Sequence, residues 1–581
     1  MRPEPKATTM PEVAFDRDTM LHRLENETFD VVVVGGGITG VGVALDAATR
    51  GLRTALVERD DLASGTSSKS SKLVHGGLRY LQNGDVRLVY EALRERQRLL
   101  RNAPHLVKVL PFLIPVFEGK GGIISKRVAR ALGSAMWMYD LTGGLRIGRV
   151  HRRLERDAAL AHMPTLGDRL AWAYLYYDAQ ADDARLTLTV ARTAALDFGA
   201  TVVNHATVTA IRKSGGRVRG AVVSTGGAGT GGDGTDAAGA SGEVEVRARA
   251  VVNATGVWAD DVRALDEGSH PGSIRPAKGI HITVPWHKVR NDIAAVVPVR
   301  EDRRSIFVVP WAGLDGTIGG EGSVTYIGTT DTDYDGDVDD PQCTADDVAY
   351  LLTAMNQTLR EPLVEADVLG SWAGLRPLVR DAGSSRTADL SRRHRVLTSD
   401  SGMITVTGGK LTTYREMAED AVDAAVAAVR QPLPRRARRS RTRSLALRGA
   451  SGWKDRRGLE PHLADRYGGD AAVVQAMIAA DPMLGEPLVP GLPYRKAEAL
   501  YAVRYEMATT LDDVLARRTR ARLLARDATA AAAADVAALI APELGWSADR
   551  TADEVARYRA EAAHEREVPG LPETVALATG H

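Results

Sequence analysis

The chain has 581 residues, 75 Lys and Arg against 74 Asp and Glu, and a single cysteine, Cys343. That length exceeds one hydrophobic core, so two or three domains are expected, and a net charge of +1 gives no reason to invoke nucleic acid or an acidic substrate. A lone cysteine excludes a disulfide framework within the chain and suits a reducing compartment, and no apolar run is long enough to span a bilayer.

Met1 to Glu27 is polar with scattered charge and lacks the apolar segment of a signal peptide, so residues 1–27 are expected to form a disordered leader. Phe29 to Val34 is a short apolar run that reads as a buried parallel strand. Gly35, Gly37 and Gly40 follow with G-x-G-x-x-G spacing, and a helix with Ile38, Val41, Ala44 and Ala48 on one face runs to Arg50, where Gly51 stops it. A second strand, Thr54 to Val57, ends at Glu58. The glycines allow a tight turn, close approach of a pyrophosphate and close helix–strand packing. The helix N-terminus offers N–H groups and a positive dipole to phosphates, and Glu58 is placed to accept from ribose hydroxyls. A terminal acid disfavours a 2′-phosphate, which leaves NAD or FAD. The stretch Ser64 to Tyr80 is too polar for a third strand. Rich in hydroxyls and small residues but ending in Leu73, Val74, Leu78, Arg79 and Tyr80, it suits a loop laid along a large planar ligand, which argues for FAD.

Arg87 to Asn102 reads as a charged amphipathic helix ended by Pro104, and Leu110 to Val116 as an extended segment whose prolines suit an edge strand. Lys120 to Arg146 combines apolar Ile123, Ile124, Val128, Leu132, Met136, Trp137, Met138 and Tyr139 with basic Lys126, Arg127 and Arg130. It has two readings, a helix packed on the core or a helix lying in a membrane interface. Asp182 and Asp183 open a helix through Phe198, where acids suit the N-terminal dipole. Strands near Arg217–Ser224 and Val244–Ala250 form a hairpin. Thr225 to Glu243 between them has no apolar face and is expected to be a flexible surface flap. Val251 and Val252 lead into a tight turn at Asn253-Ala254-Thr255-Gly256. Residues 260–370 look like a mixed sheet with a helix at Val348–Leu359. The chain re-enters the first domain near Trp372, with a strand at Met403–Thr407 and a helix from Leu411 to Val429 after Gly408-Gly409. Arg435 to Arg441 is a basic linker, either solvated or facing an anionic membrane. Pro461 to Glu567 is Ala- and Leu-rich with helical periodicity. No metal-spaced His or Cys cluster is visible.

Taken together, the motifs resemble those of the FAD-dependent glycerol-3-phosphate dehydrogenases, the respiratory type that passes electrons to a quinone. They are Val34 to Gly40, Thr66-Ser67-Ser68, His75 to Leu81, Asp182 to Leu186, Val252 to Gly256, Lys278-Gly279-Ile280-His281, Ile327 to Asp331, Gly374 to Leu378 and Gly408 to Arg415. The resemblance implies an α/β fold with a discontinuous Rossmann-like FAD-binding domain (28–105, 171–260 and 371–430). It also implies a mixed-sheet substrate-binding cap (106–170 and 261–370) and an all-helical C-terminal domain (431–581). It implies FAD contacts from Gly35, Gly37, Ile38, Thr39, Gly40, Glu58 and Arg59, and from the loop residues Thr66, Ser67, Ser68, Ser71, Lys72, Leu73, His75, Gly76 and Gly77. Further contacts are implied from Ala254, Thr255 and Gly256, and from Gly409, Lys410, Leu411, Thr412 and Thr413.

Oxidising a secondary alcohol phosphate requires a base for the hydroxyl proton and cations for the phosphate. The anchors expected beside these motifs are Arg79, Arg392 and Lys410, with Tyr80 also at the substrate. Arg376 is expected to fix the substrate hydroxyl or the developing carbonyl. His281 is the first choice of base, because an imidazole near pKa 6.5 accepts a proton at neutral pH, and His75 is the other candidate. The implied activity is oxidation of sn-glycerol 3-phosphate to dihydroxyacetone phosphate with electrons passed to a membrane quinone. The alternative acceptor is oxygen, which would make the enzyme an oxidase. A flavin-binding sensor would lack these anchors, and an amine oxidase would not need so many cations. The partners expected are this substrate pair, a quinone, an anionic membrane surface and a second copy of the chain, with no nucleic acid. The location expected is cytoplasmic and peripheral to the inner face of the cell membrane.

Overall fold

The computed structural model describes residues 15–77, 85–117, 133, 136–140, 148–226, 242–299, 304–314, 316–380, 393–429, 431–453 and 457–574. The expected leader is partly structured: α1 (Arg17–Asn26) is capped by Asp16 and buries Met20 and Leu24, with Phe15 buried beside it. A polar segment with apolar residues four apart folds once it finds a surface, here the edge strand Thr201–Val203.

The first sheet is built on β1 (Thr28–Val34), whose valines are buried on both faces as a central parallel strand requires. It pairs in parallel with β2 (Thr54–Val57) on one side and Glu243–Asn253 on the other, so that Val34 lies level with both Val57 and Asn253. Between β1 and β2 runs α2 (Ile38–Thr49), buried along nearly its whole length. Thr201–Val203, Ile404–Thr407 and Arg395–Thr398 complete the row, and the hairpin strands Thr207–Ser214 and Arg217–Ser224 extend it. The order joins segments far apart in sequence, as a discontinuous nucleotide-binding domain must.

The second sheet is mixed and has ten strands among the described residues. Towards one end of it lies β3 (Ile274–Pro285), antiparallel to both Val324–Gly328 and β4 (Gly370–Val379). Two sequence expectations change here. Lys108–Phe117 is not an edge strand: it pairs with Leu170–Gln180 on one side and with Ala294–Pro298 on the other, the prolines notwithstanding. Leu170–Gln180 and β4 belong to this second sheet, so the chain rejoins the first sheet at Thr201 and Arg395 rather than at 171 and 371. β4 is buried along its first six residues, and the aromatic residues of both segments contact neighbouring strands, Tyr176 stacking on Phe112 and Trp372 on His281.

The described residues beyond 457 are helices and turns around their own core, with Tyr494, Tyr501, Leu511, Val536 and Tyr558 at its centre. The basic run Arg435–Arg441 is more than a solvated linker. Ala437 is buried, its carbonyl accepts from Arg50, and Ser440 donates to Asp46 of α2 at 2.6 Å, while Arg435, Arg436, Arg438 and Arg439 remain exposed.

Candidate active site

The Gly-rich turn is shaped by contacts that no side chain would permit. Gly35 has φ +107°, and a β-carbon on it would lie 2.8 Å from the Ala254 carbonyl oxygen. One on Gly40 would lie 1.9 Å from the Gly35 oxygen. Sheet register therefore brings Gly35, Gly37, Gly40, Ala254, Thr255 and Gly256 to one place, with Asn253 Oδ1 accepting from both the N–H and the hydroxyl of Thr255. The first turn of α2 contains no acid, and Gly37 offers no side-chain cap. Ser67 Oγ closes the turn by accepting from Ile38 N at 2.9 Å. This cradle of small residues against a helix N-terminus whose first turn carries no acid fits a dinucleotide pyrophosphate. Glu58 lies beside this turn, accepting from Gly36 N at 2.5 Å and Asp60 N at 2.9 Å. Burial pushes its carboxyl up to about 7 against those two hydrogen bonds. Ribose hydroxyls donate better to a carboxylate than to a carboxylic acid, so binding favours the ionised form. Apoprotein affinity for FAD is expected to weaken as pH falls through 7, by up to about tenfold per pH unit. Glu58→Gln should flatten that dependence, and fluorescence titration of apoprotein between pH 5.5 and 8.5 measures it. Arg59 points elsewhere: it lies 5.0 Å over the Trp258 ring and pairs with Asp339 at 2.8 Å.

The polar loop after Glu58 is fixed on three sides. Thr66 Oγ1 donates to the Leu375 carbonyl at 2.5 Å, and a β-carbon on Gly374 would lie 2.6 Å from the Lys69 oxygen, so the loop is seated on β4. Ser70 donates through its amide and hydroxyl to Asp183, at 3.0 and 2.6 Å. Lys72 Nζ reaches the same carboxylate at 3.2 Å and lies 4.7 Å over the Trp372 ring. Arg520, from the helical C-terminal region, pairs with Asp183 at 3.2 Å and donates to the Ser68 carbonyl. Burial, with Arg520 nearby, brings the Lys72 amine down to about 8 despite Asp183. Further along, the backbone amide of His75 donates to Thr412 Oγ1, and the amide of Gly76 donates to the hydroxyl of Tyr139, which donates to Asp178. Leu73 and Gly77 are buried in the same stretch. Thr412 and Thr413 are buried at the start of the segment that follows Gly409, so the second glycine turn does meet this loop.

Sequence reasoning read Asp183 as a helix cap and gave Asp178 and Arg520 no role. Nothing local marks these residues: each becomes visible only where a distant chain segment supplies the countercharge.

His281, Arg376 and Trp372 meet on the β3–β4 ladder, where His281 is opposite Trp372 and Ala277 is opposite Arg376. His281 is 1% exposed and stacks on Trp372 at 4.7 Å with the rings 10° from parallel. Its Nε2 is 2.9 Å from Ser71 Oγ. Burial holds the imidazole well below its ordinary pKa, and the charges of Lys72 and Arg376 add to that, so it is neutral at physiological pH. Gly328 lies opposite His281 on the other neighbouring strand. A β-carbon there would sit 2.1 Å from His281 Cδ2. Arg376 occupies the space left by Gly279 and is held by Asp331 at 3.2 Å, Thr329 Oγ1 at 3.1 Å and the Thr330 carbonyl at 3.2 Å. Lys278, in the same motif, is turned away to Asp347 at 2.6 Å. Lys410 is half-buried beside Gly409. Arg79, Tyr80 and Arg392 lie outside the described residues.

A second charged centre joins Asp61, His205 and Asp513, whose side-chain atoms lie within 4.8 Å of one another. The carboxylates are taken up by Arg517 and Arg518, at 2.6 and 2.5 Å from Asp61, and Asp513 also receives Arg517 at 2.6 Å. The cluster is thus an ion-pair network binding the C-terminal helices to the first sheet.

A family model described as FAD dependent oxidoreductase matches residues 30–415. A second, described as the C-terminal domain of alpha-glycerophosphate oxidase, matches residues 440–551. Glycerol-3-phosphate dehydrogenase 2 of Mycobacterium bovis is 43% identical over 557 residues, covering 93% of this chain and 88% of its own. The mitochondrial glycerol-3-phosphate dehydrogenase of Homo sapiens is 37% identical over 568 residues, covering 91% and 72%. The X-ray structure of the glycerol-3-phosphate dehydrogenase from Bacillus halodurans, complexed with FAD, superimposes with a TM-score of 0.71 at 29% identity, over 97% of this chain and 98% of that one.

Proposed function

The chain belongs to the FAD-dependent oxidoreductase family, among proteins named glycerol-3-phosphate dehydrogenase, and from that premise we propose that it oxidises sn-glycerol 3-phosphate to dihydroxyacetone phosphate and hands the electrons to a membrane quinone. The observation that carries this reading is the meeting of Arg376 and His281 on one ladder directly against the loop that follows the dinucleotide cradle. FAD supplies the acceptor for the carbinol hydride. Gly35 to Gly40 and Glu58 would hold its adenosine and pyrophosphate, and the loop from Thr66 to Gly77 with Ala254 to Gly256 and Gly409 to Thr413 would contact the rest. Arg79, Tyr80, Arg392 and Lys410 take the substrate phosphate. Arg376 polarises the oxygen that becomes the carbonyl, and His281 takes the hydroxyl proton. Anaerobic addition of glycerol 3-phosphate is expected to bleach the flavin. Reoxidation by a quinone and not by oxygen supports the dehydrogenase, and an absence of bleaching overturns it. The match of residues 440–551 to a domain described from an oxidase favours oxygen as the second reading, which stoichiometric peroxide would establish.

Unloading electrons to a quinone requires contact with the bilayer. Among the described residues no helix is long and apolar enough to cross a membrane. Peripheral attachment to the inner face of the cell membrane is supported by Trp137, 62% exposed, with Met138 beside it, while Met136 and Tyr139 on the same short helix are buried. The rest of Lys120 to Arg146, apart from residue 133 and residues 136–140, lies outside the described residues. The exposed arginines 435, 436, 438 and 439 supply positive charge, each contributing about 1 kcal/mol near anionic lipid. The protein is expected to sediment with anionic vesicles at low salt. Binding should fall when these four arginines are replaced by serine, and again when Trp137 is replaced by a polar residue. Protein left in the supernatant would favour a freely soluble oxidase. A homodimer is compatible with this arrangement and is tested by the solution mass.

A further inference from the structure

We propose that Ser71 is the hydroxyl through which His281 receives the substrate's proton, the two side chains forming a relay. This rests on the reading of the site given above, with His281 as base.

The imidazole is enclosed on every side that contacts define. Trp372 covers one face at 4.7 Å and itself lines a cleft of about 850 Å³ between the flavin-side loop and the C-terminal helices, so the indole stands between that cleft and the ring. Gly328 closes on the Cδ2 edge, with Cδ2 only 2.1 Å from where a β-carbon would stand. Tyr326 approaches edge-on with ring centroids 6.2 Å apart. Nδ1 is buried and makes no hydrogen bond in the described structure. The remaining nitrogen, Nε2, is 2.9 Å from Ser71 Oγ. Of this pair Ser71 is half-buried and His281 only 1% exposed, and Ser71 is absent from the lining of the interdomain cleft. A base with so little surface of its own is poorly placed to meet a substrate hydroxyl directly. Its hydrogen-bonded neighbour is better placed.

The backbone holds that neighbour in place. Tyr326 OH donates to the Ser71 carbonyl at 3.0 Å, and Ser70 on one side and Lys72 on the other are tied to Asp183. Burial first, and then Lys72 and Arg376, the two cationic groups facing the imidazole, keep it unprotonated at rest. In the relay the substrate hydroxyl gives its proton to Ser71 Oγ as Ser71 gives its own to His281 Nε2. The C2–H bond breaks with its electron pair leaving as hydride, and the C2–O bond becomes a carbonyl. The substrate loses one hydride and one proton, the imidazole becomes an imidazolium, and the serine ends as it began.

The test uses the FAD-loaded full chain and four variants, Ser71→Ala, Ser71→Thr, His281→Gln and the double variant Ser71→Ala/His281→Gln. Flavin content is measured first, to confirm that each holds its cofactor. In stopped-flow reduction by glycerol 3-phosphate, Ser71→Ala is expected to slow bleaching by at least about 100-fold with the substrate's apparent affinity within about threefold, and Ser71→Thr to recover most of the rate. The double variant should be no slower than His281→Gln alone, because two members of one relay are not additive. Independently of turnover, nitrogen NMR of His281 in the protein without substrate should show the Nε2 resonance displaced in Ser71→Ala and restored in Ser71→Thr. The relay is overturned if Ser71→Ala reduces its flavin within about threefold of the unmodified rate, if the two losses multiply in the double variant, or if Nε2 is unmoved. A His281→Gln variant of normal rate would instead remove the base assignment itself. Failure of the unmodified protein to bleach would remove the substrate assignment. The three failures are therefore distinguishable.

Discussion

Replacing Arg376 with alanine is expected to lower kcat/KM for glycerol 3-phosphate by about two to three orders of magnitude while FAD stays bound. The guanidinium is preorganised: Asp331, Thr329 and Thr330 hold three of its hydrogen bonds, and Gly279 leaves the room it fills. A donor fixed where charge develops needs no reorganisation as the reaction proceeds, and losing such a donor typically costs about 2.7–4 kcal/mol. Arg376→Lys should recover only part of the loss, since an ammonium keeps the charge but cannot reproduce the planar fork that meets Asp331 and Thr329 together. Arg376 makes none of the contacts that shape the dinucleotide cradle, so flavin content should match the unmodified protein. Kinetics within about threefold of the unmodified enzyme in both variants would take Arg376 out of the substrate site.

Asp183→Ala is expected to be the most destabilising single change around the flavin-side loop, by about 3–5 kcal/mol. Asp183 has no exposed surface, and it accepts from Lys72, Arg520 and Ser70 together. Removing it leaves two buried cations facing one another without the carboxylate between them, the situation in which breaking a buried ion pair costs most. Since the same carboxylate ties the loop to the C-terminal helices, loss of FAD should accompany the fall in stability. Denaturant unfolding of the loaded protein, followed by flavin fluorescence, reports both. A change under about 1 kcal/mol would mean that the triad is not what holds the loop. The triad also predicts a pH effect. Unfolded Lys72 keeps its proton up to about 10.5, whereas the folded chain releases it near 8, so between these values the unfolded state holds more protons and the contribution of this group to stability rises with pH. Lys72→Met should abolish that rise.

The distribution of what was legible follows chain distance. Phe29 to Glu58 could be read directly because strand, turn, helix, strand and acid are contiguous, and their periods and glycines are local signals. The helical C-terminal region was legible for the same reason. The helix within residues 15–27 was not, because α1 carries too little apolar surface to announce itself without the sheet edge it covers. Leu110–Val116 was read as an extended edge segment and residues 171–180 were placed in the first domain, but both lie inside the second sheet, since pairing is set by the partner and not by the strand itself.

The sequence by itself determined that the cofactor is FAD and that the fold is a discontinuous α/β domain joined to a mixed sheet and a helical region. Tertiary structure alone decided which charges act together. Lys72 and Asp183 are 111 positions apart, Asp183 and Arg520 are 337 apart, and His281 and Ser71 are 210 apart. No spacing or periodicity spans such gaps. A charge is costly to bury unless its partner arrives with it, and which partner arrives depends on how sheets and helices stack, which the fold as a whole sets.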